Sequence, residues 1–239
     1  MAGEHVRWWS PSLGRDMELK VYGHSGARVI VFPTSMGRYW DWEDRGMVDA
    51  LGEHLHRGWL QMYCVDSVDS ESWYNKHIHP ADRARRHTAY DRYLYEELLP
   101  FSVGRNGTPF VIATGASFGA YHAFAFGFRH PWSVNRVLGM SGLYDVKRFT
   151  DGYSDEGVHY GNPYDAVVHE QDGERLRALQ RMDIILAIGR DDSACANNIE
   201  TSRRLWDRGI GNALRIWDGW AHDWPFWVDM VRHYIGGHD

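Results

Sequence analysis

The run Gly115-Ala-Ser117-Phe-Gly119 places a serine between two glycines at the spacing of a nucleophile elbow. It follows the apolar stretch Pro109–Ala113 and precedes a helical pattern starting just after Ser117, so the serine falls on a strand-to-helix turn. The chemistry needs that turn to be tight, with Oγ exposed above a sheet. Glycines two residues to either side let the helix approach the strand, and small Ala120 and Ala123 extend that approach. The competing reading is a Gly-rich turn with no chemistry. A serine hydroxyl is a poor nucleophile until a base takes its proton, so the elbow demands a histidine. Of the 14 His, the pairs His54/His56 and His77/His79 have a spacing that suggests a metal but lack further ligands, and they read as solvated faces. His122 shares the helix of Ser117 and should point away from Oγ. His222 is better placed: it follows the last expected strand, precedes the last helix and comes late in the chain, as the order Ser…Asp…His requires.

The third member must hold the imidazole in one tautomer and stabilise its charged form. The buried stretch Ile184–Ile188 runs into Gly189-Arg-Asp191-Asp192, which offers two acids at a strand end. Asp192 is preferred and Asp191 is second; the other acid would cap the next helix or pair with Arg190.

These residues carry a resemblance. From Val29 to Tyr234 the chain resembles the α/β-hydrolases of the Putative esterase group, which includes esterase D (S-formylglutathione hydrolase), feruloyl and enterochelin esterases and the mycolyltransferases. The parts that carry it are Gly115–Gly119, Gly189–Asp192 and the block Gly219–Trp227, whose His222, Trp224 and Trp227 match the family's His-x-Trp-x-x-Trp. The chain departs from the family at Pro33-Thr-Ser-Met-Gly37, where many relatives have a His-Gly-Gly turn. The resemblance implies that this loop supplies one backbone N–H of an oxyanion hole, from Thr34 or Ser35 with Ser35 favoured, and that Phe118 supplies the other. It further implies a serine carboxylic-ester hydrolase working through an acyl-enzyme, with a small-molecule ester as partner and no cofactor or metal. An acyltransferase would use the same triad, and a non-catalytic binding protein could share the fold.

The elements that must position these residues read as one α/β domain over residues 1–239. Strands are expected at Glu18–His24, Arg28–Phe32, Trp59–Val65, Pro109–Ala113, Arg136–Met140, Asp183–Ile188 and Ala213–Trp217. Helices are expected at Trp42–Arg57, Pro80–Leu99, Phe118–His130, Asp172–Arg181, Asn197–Arg208 and Trp224–Tyr234, with Gly58 and Gly209 as left-handed C-caps. This alternation implies an α/β-hydrolase fold: a mostly parallel sheet with helices on both faces and functional loops at the strands' carboxyl ends. Tyr144–His169 breaks the alternation and reads as an irregular insertion, either a cap over a pocket or a plain surface loop.

Composition narrows the function classes. The 26 Lys and Arg against 32 Asp and Glu give a net charge of −6, with no electrostatic footprint for nucleic acid. No apolar run approaches the length of a membrane span, and the polar start Met1–Arg7 does not read as a signal peptide. Two cysteines make no disulfide framework, so a reducing, cytoplasmic setting is the expectation. Twelve Trp exceed what a core of this size needs. Trp40, Trp42, Trp73, Tyr74, Trp220 and Trp224 fall on or beside the active-site loops, and Trp40, Trp73, Trp220 and Trp224 are the candidates for substrate contact; simple loop anchoring is the competing account. Asp66 and Asp69 read as solvated loop acids ahead of a site for a cationic or hydroxylated substrate, and Arg83, Arg85 and Arg86 as a solvated helix face. Acyl-chain length, the alcohol and oligomeric state have no signature in the sequence.

Overall fold

Residues 3–237 are described by a computed structural model; Met1 and Ala2, at the head of the polar start, lie outside them. Eight strands form in chain order: β1 (Glu4–Ser10), β2 (Arg15–Tyr22), β3 (Ala27–Phe32), β4 (Leu60–Val65), β5 (Val111–Ala116), β6 (Arg136–Met140), β7 (Asp183–Gly189) and β8 (Ala213–Trp217). They make one sheet in the order β1-β2-β4-β3-β5-β6-β7-β8. The first two join antiparallel, and β4 through β8 are parallel. The reason lies in the apolar runs. Val29 and Val31 face one core layer with Met62, Ile112 and Leu138, while Ile30 and Phe32 face the other with Tyr63, Ala113 and Val137. A strand buried on both faces needs helices above and below, and the crossovers supply them.

Seven of these strands fall where expected. β1 was not anticipated, because it is an edge strand paired with β2 alone and most of its side chains remain exposed or half-buried. The single helix expected at Trp42–Arg57 is instead three short ones, α1 (Asp41–Asp44), α2 (Met47–Ala50) and α3 (Gly52–His56), broken first where Gly46 turns left-handed at φ 76°. The helix expected at Pro80–Leu99 runs on: α4 (Pro80–Tyr93) passes through a π-helical turn at Leu94–Leu98 into α5 (Leu99–Arg105). Pro100 has no N–H for the regular ladder, which accounts for the widened turn before it. α6 (Phe118–Arg129) follows the elbow. The insertion is more regular than expected, with a 3-10 turn at Lys147–Phe149, α7 (Glu156–Tyr160) capped by Asp155, and α8 (Pro163–His169). α9 (Gly173–Gln180), α10 (Cys195–Asp207) and α11 (Trp224–Tyr234) complete the layers, and Gly58 and Gly209 are left-handed at φ 69° and 68°. No helix among the described residues is long and apolar enough to cross a membrane.

Candidate active site

Ser117 stands between β5 and α6 with φ 54° and ψ −119°, a backbone conformation that L-residues avoid. Its amide donates to the Met140 carbonyl at the end of β6, at 2.8 Å, which helps hold the turn. The two flanking glycines are required sterically. A Cβ on Gly115 would sit 2.4 Å from the Gly119 backbone, and one on Gly119 would sit 2.6 Å from the carbonyls of Phe32 and Pro33. The G-x-S-x-G spacing therefore wedges the start of α6 against both its own strand and the loop after β3.

His222 Nε2 lies 3.1 Å from Ser117 Oγ, and His222 Nδ1 lies 2.6 Å from Asp192 Oδ2. The three side chains come from loops after β5, β7 and β8. Asp192 is buried, and its other oxygen accepts the Ala194 amide at 2.8 Å, so the carboxylate is fixed at both ends. Asp191 points outward, and Arg190 pairs with Asp218 instead of with it. The loops of Asp192 and His222 touch closely because Gly189 has no side chain: a Cβ there would meet the Trp220 carbonyl at 2.1 Å. Ser141 finishes the support. Its hydroxyl donates to the carbonyl of Ala221 (3.0 Å), a residue at φ 43°, and accepts from the Trp227 indole (2.9 Å).

A cavity of about 350 Å³ opens beside Ser117, walled by Ser35, Phe118, Leu143, Arg148 and Ser193 as well as the three residues above. On the loop after β3, the Thr34 amide and hydroxyl both donate to Asp41, at 2.9 and 2.8 Å, and the Met36 amide donates to Asp69 at 2.9 Å. Ser35 sits between these two engaged amides, and its hydroxyl accepts from Tyr74 at 2.8 Å.

Residues 59–231, more than half of the chain, match the family described as "Putative esterase". The chain belongs to this esterase family. The fold agrees with it. A ferulic acid esterase superposes with a TM-score of 0.75 at 17% identity, over 97% of this chain and 95% of that one. An S-formylglutathione hydrolase from Agrobacterium tumefaciens gives 0.73 at 13%, over 97% and 95%. MPT51 (FbpC1) from Mycobacterium tuberculosis gives 0.72 at 16%, over 97% and 96%. No curated protein sequence matches the chain.

Several expected site residues of this esterase sit elsewhere. Trp73 is 0% exposed and bonds the Tyr121 hydroxyl through its indole (2.8 Å), so it belongs to the interior and meets no substrate. Trp224 is half-buried edge-on against Trp227, and Trp40 lies under the Arg38 guanidinium at 4.6 Å. Trp220 is 55% exposed and stacks on the His222 ring at 5.6 Å, the one candidate indole in ring contact with the three residues. Asp66 and Asp69 are not solvated; both are about 1% exposed. Asp66 binds Arg38 at 2.6 Å, yet its burial pushes the carboxyl above its usual range. Asp69 holds Met36 with one oxygen and His122 Nε2 with the other, at 2.8 Å. His122 thus points inward, away from Ser117. The arginine cluster is split as well: Arg85 is exposed, but Arg83 is buried and donates to the Phe149 carbonyl, and Arg86 binds Glu71 and the Leu13 carbonyl. Ser141 and Arg148 carried no local sequence signal, since only the fold brings them to the cavity wall beside Ser117.

Proposed function

We propose that the protein is a serine carboxylic-ester hydrolase in which Ser117, His222 and Asp192 act as a catalytic triad through an acyl-enzyme. The observation that carries this reading is the pair of contacts at 3.1 and 2.6 Å through the two nitrogens of one imidazole. His222 Nε2 removes the Oγ proton as Ser117 attacks the ester carbonyl, forming the C–O bond to Ser117. His222 then passes that proton to the departing alcohol as the original ester bond breaks. Water enters, gives a proton to the same nitrogen and attacks the acyl group, and Ser117 leaves with the proton returned to it. Asp192 keeps Nδ1 protonated and stabilises the transient imidazolium without taking the proton itself.

The tetrahedral oxyanion is held by the backbone amides of Ser35 and Phe118 in this mechanism. Two facts support that choice: both residues wall the cavity, and the amides of Thr34 and Met36 are already spent on Asp41 and Asp69. Loss of one such donor costs about 3 kcal/mol of transition-state stabilisation. The test is hydrolysis of a small p-nitrophenyl ester by wild type and Ser117→Ala, beside labelling with a fluorophosphonate probe. Wild type should turn over and be labelled at Ser117; the variant, still folded by circular dichroism, should do neither. Equal turnover by the two proteins removes the mechanism.

A further inference from the structure

Arg148 reaches the cavity beside Ser117 from the insertion, and nothing in the triad chemistry accounts for it. The 3-10 turn that carries it is firmly built. Buried Arg83 donates to the Phe149 carbonyl at 2.7 Å and pairs with Asp151 at 3.0 Å, and the Thr150 hydroxyl donates to the Lys147 carbonyl at 3.0 Å. The Phe149 ring packs on Phe118 at 5.4 Å and on Tyr74 at 5.0 Å. Tyr74 is the residue bonded to Ser35. The Arg148 guanidinium lies 4.7 Å from the centroid of Phe149. A cation is therefore mounted on the same aromatic wedge that abuts the residue after the nucleophile.

The charge of that cation is not neutralised by the protein. Lys147, on the same turn, is paired with Asp165 at 2.7 Å, whereas among the described residues Arg148 forms no ion pair. The carboxylate in the cavity wall, Asp192, is committed to His222 and the Ala194 amide. A guanidinium is a planar fork that matches a carboxylate with two parallel N–H···O bonds. A long alkyl chain laid across it would desolvate the charge with nothing in return.

We propose that the substrate is an ester carrying a second, anionic group, a carboxylate, which Arg148 binds while Ser117 attacks the ester carbonyl. The inference rests on the hydrolase reading above and adds the substrate class and a specificity residue. The carboxylate can belong to the acyl part or to the alcohol part, and two matched pairs of esters distinguish them. One pair is the mono-p-nitrophenyl ester of succinic acid against p-nitrophenyl pentanoate; the other is 4-acetoxybenzoate against its methyl ester. Wild type is expected to favour the anionic member of one pair by about tenfold or more in kcat/KM, mainly through KM, with the preference shrinking as ionic strength rises. In Arg148→Gln that ratio should fall by about ten- to a hundredfold, the range for a charged hydrogen-bonded contact. Turnover of both pairs with ratios near one, or a ratio unchanged in Arg148→Gln, overturns the role of Arg148 and leaves the hydrolase intact. Absence of any ester turnover, with no fluorophosphonate labelling of Ser117, overturns both.

Discussion

Asp191 and Asp192 are neighbours with the same side chain, yet only one of them reaches the imidazole. The backbone turn after Gly189 sends Asp192 inward, where it accepts from Ala194 and meets His222 Nδ1 at 2.6 Å, and sends Asp191 to solvent. The two should separate cleanly in kinetics. Asp192→Asn keeps the shape but favours the wrong tautomer of His222, and a loss of about 10⁴ in kcat is the scale for such a change. Asp191→Asn should stay within about twofold of wild type, as expected of a surface change. Assays of the two variants on one p-nitrophenyl ester check this, and equal losses would remove Asp192 from its assigned role. The contrast also marks how legible single residues are. Ser117, His222 and Asp192 could be read because each sits at a strand's carboxyl end inside a local pattern. Trp73 could not, because its burial and its bond to Tyr121 depend on a helix 48 positions later.

At the scale of elements, the regular parts of the sheet were readable and its exceptions were not, for physical reasons. β6 lies at the expected bounds because two-sided burial demands an uninterrupted apolar run. β1 is paired on one side only and carries no such run. The loop after β3 is the exception that matters most for chemistry. Its Met36 sits at φ 59°, a conformation unfavourable for a residue with a Cβ, and its amide is held by a buried carboxylate backed by His122. Removing that carboxylate leaves a strained backbone with no anchor next to Ser35. Asp69→Ala should therefore lower kcat by about ten- to a hundredfold with a smaller change in KM, bounded by the loss of one oxyanion donor. Asp69→Asn, which retains an oxygen for the Met36 amide, should recover part of it. Steady-state kinetics beside a melting curve separate the two contributions: a drop in Tm with kcat unchanged would mean that Asp69 serves stability alone.

Across the whole molecule, a buried polar network ties the insertion to the body of the fold. The Tyr121 hydroxyl on α6 donates to the Gly161 carbonyl of the insertion at 2.7 Å and accepts from the Trp73 indole at 2.8 Å. With its single proton given to Gly161, that hydroxyl can only accept from His87 Nε2, at 3.2 Å, so His87 is protonated on Nε2. Its Nδ1 is buried without a partner. A second proton there would make a buried cation with an unsatisfied donor, and burial, reinforced by nearby His122 and Arg129, holds the His87 pKa well below its ordinary value. In the unfolded chain His87 titrates near about 6.5. Between the two pKa values the unfolded state binds the extra proton, so this contribution to stability is complete above about pH 6.5 and declines as the pH falls below it. Tm measured from neutral to mildly acidic pH should drop once that point is passed, and His87→Gln should flatten the drop. Because Gly161 belongs to the insertion that bears Arg148, the same acidification should loosen the insertion, visible as a fall in amide protection factors, corrected for the intrinsic exchange rate at each pH, at residues 144–169 before those of the sheet. An identical slope of Tm against pH in His87→Gln and wild type would place the acid sensitivity in another group.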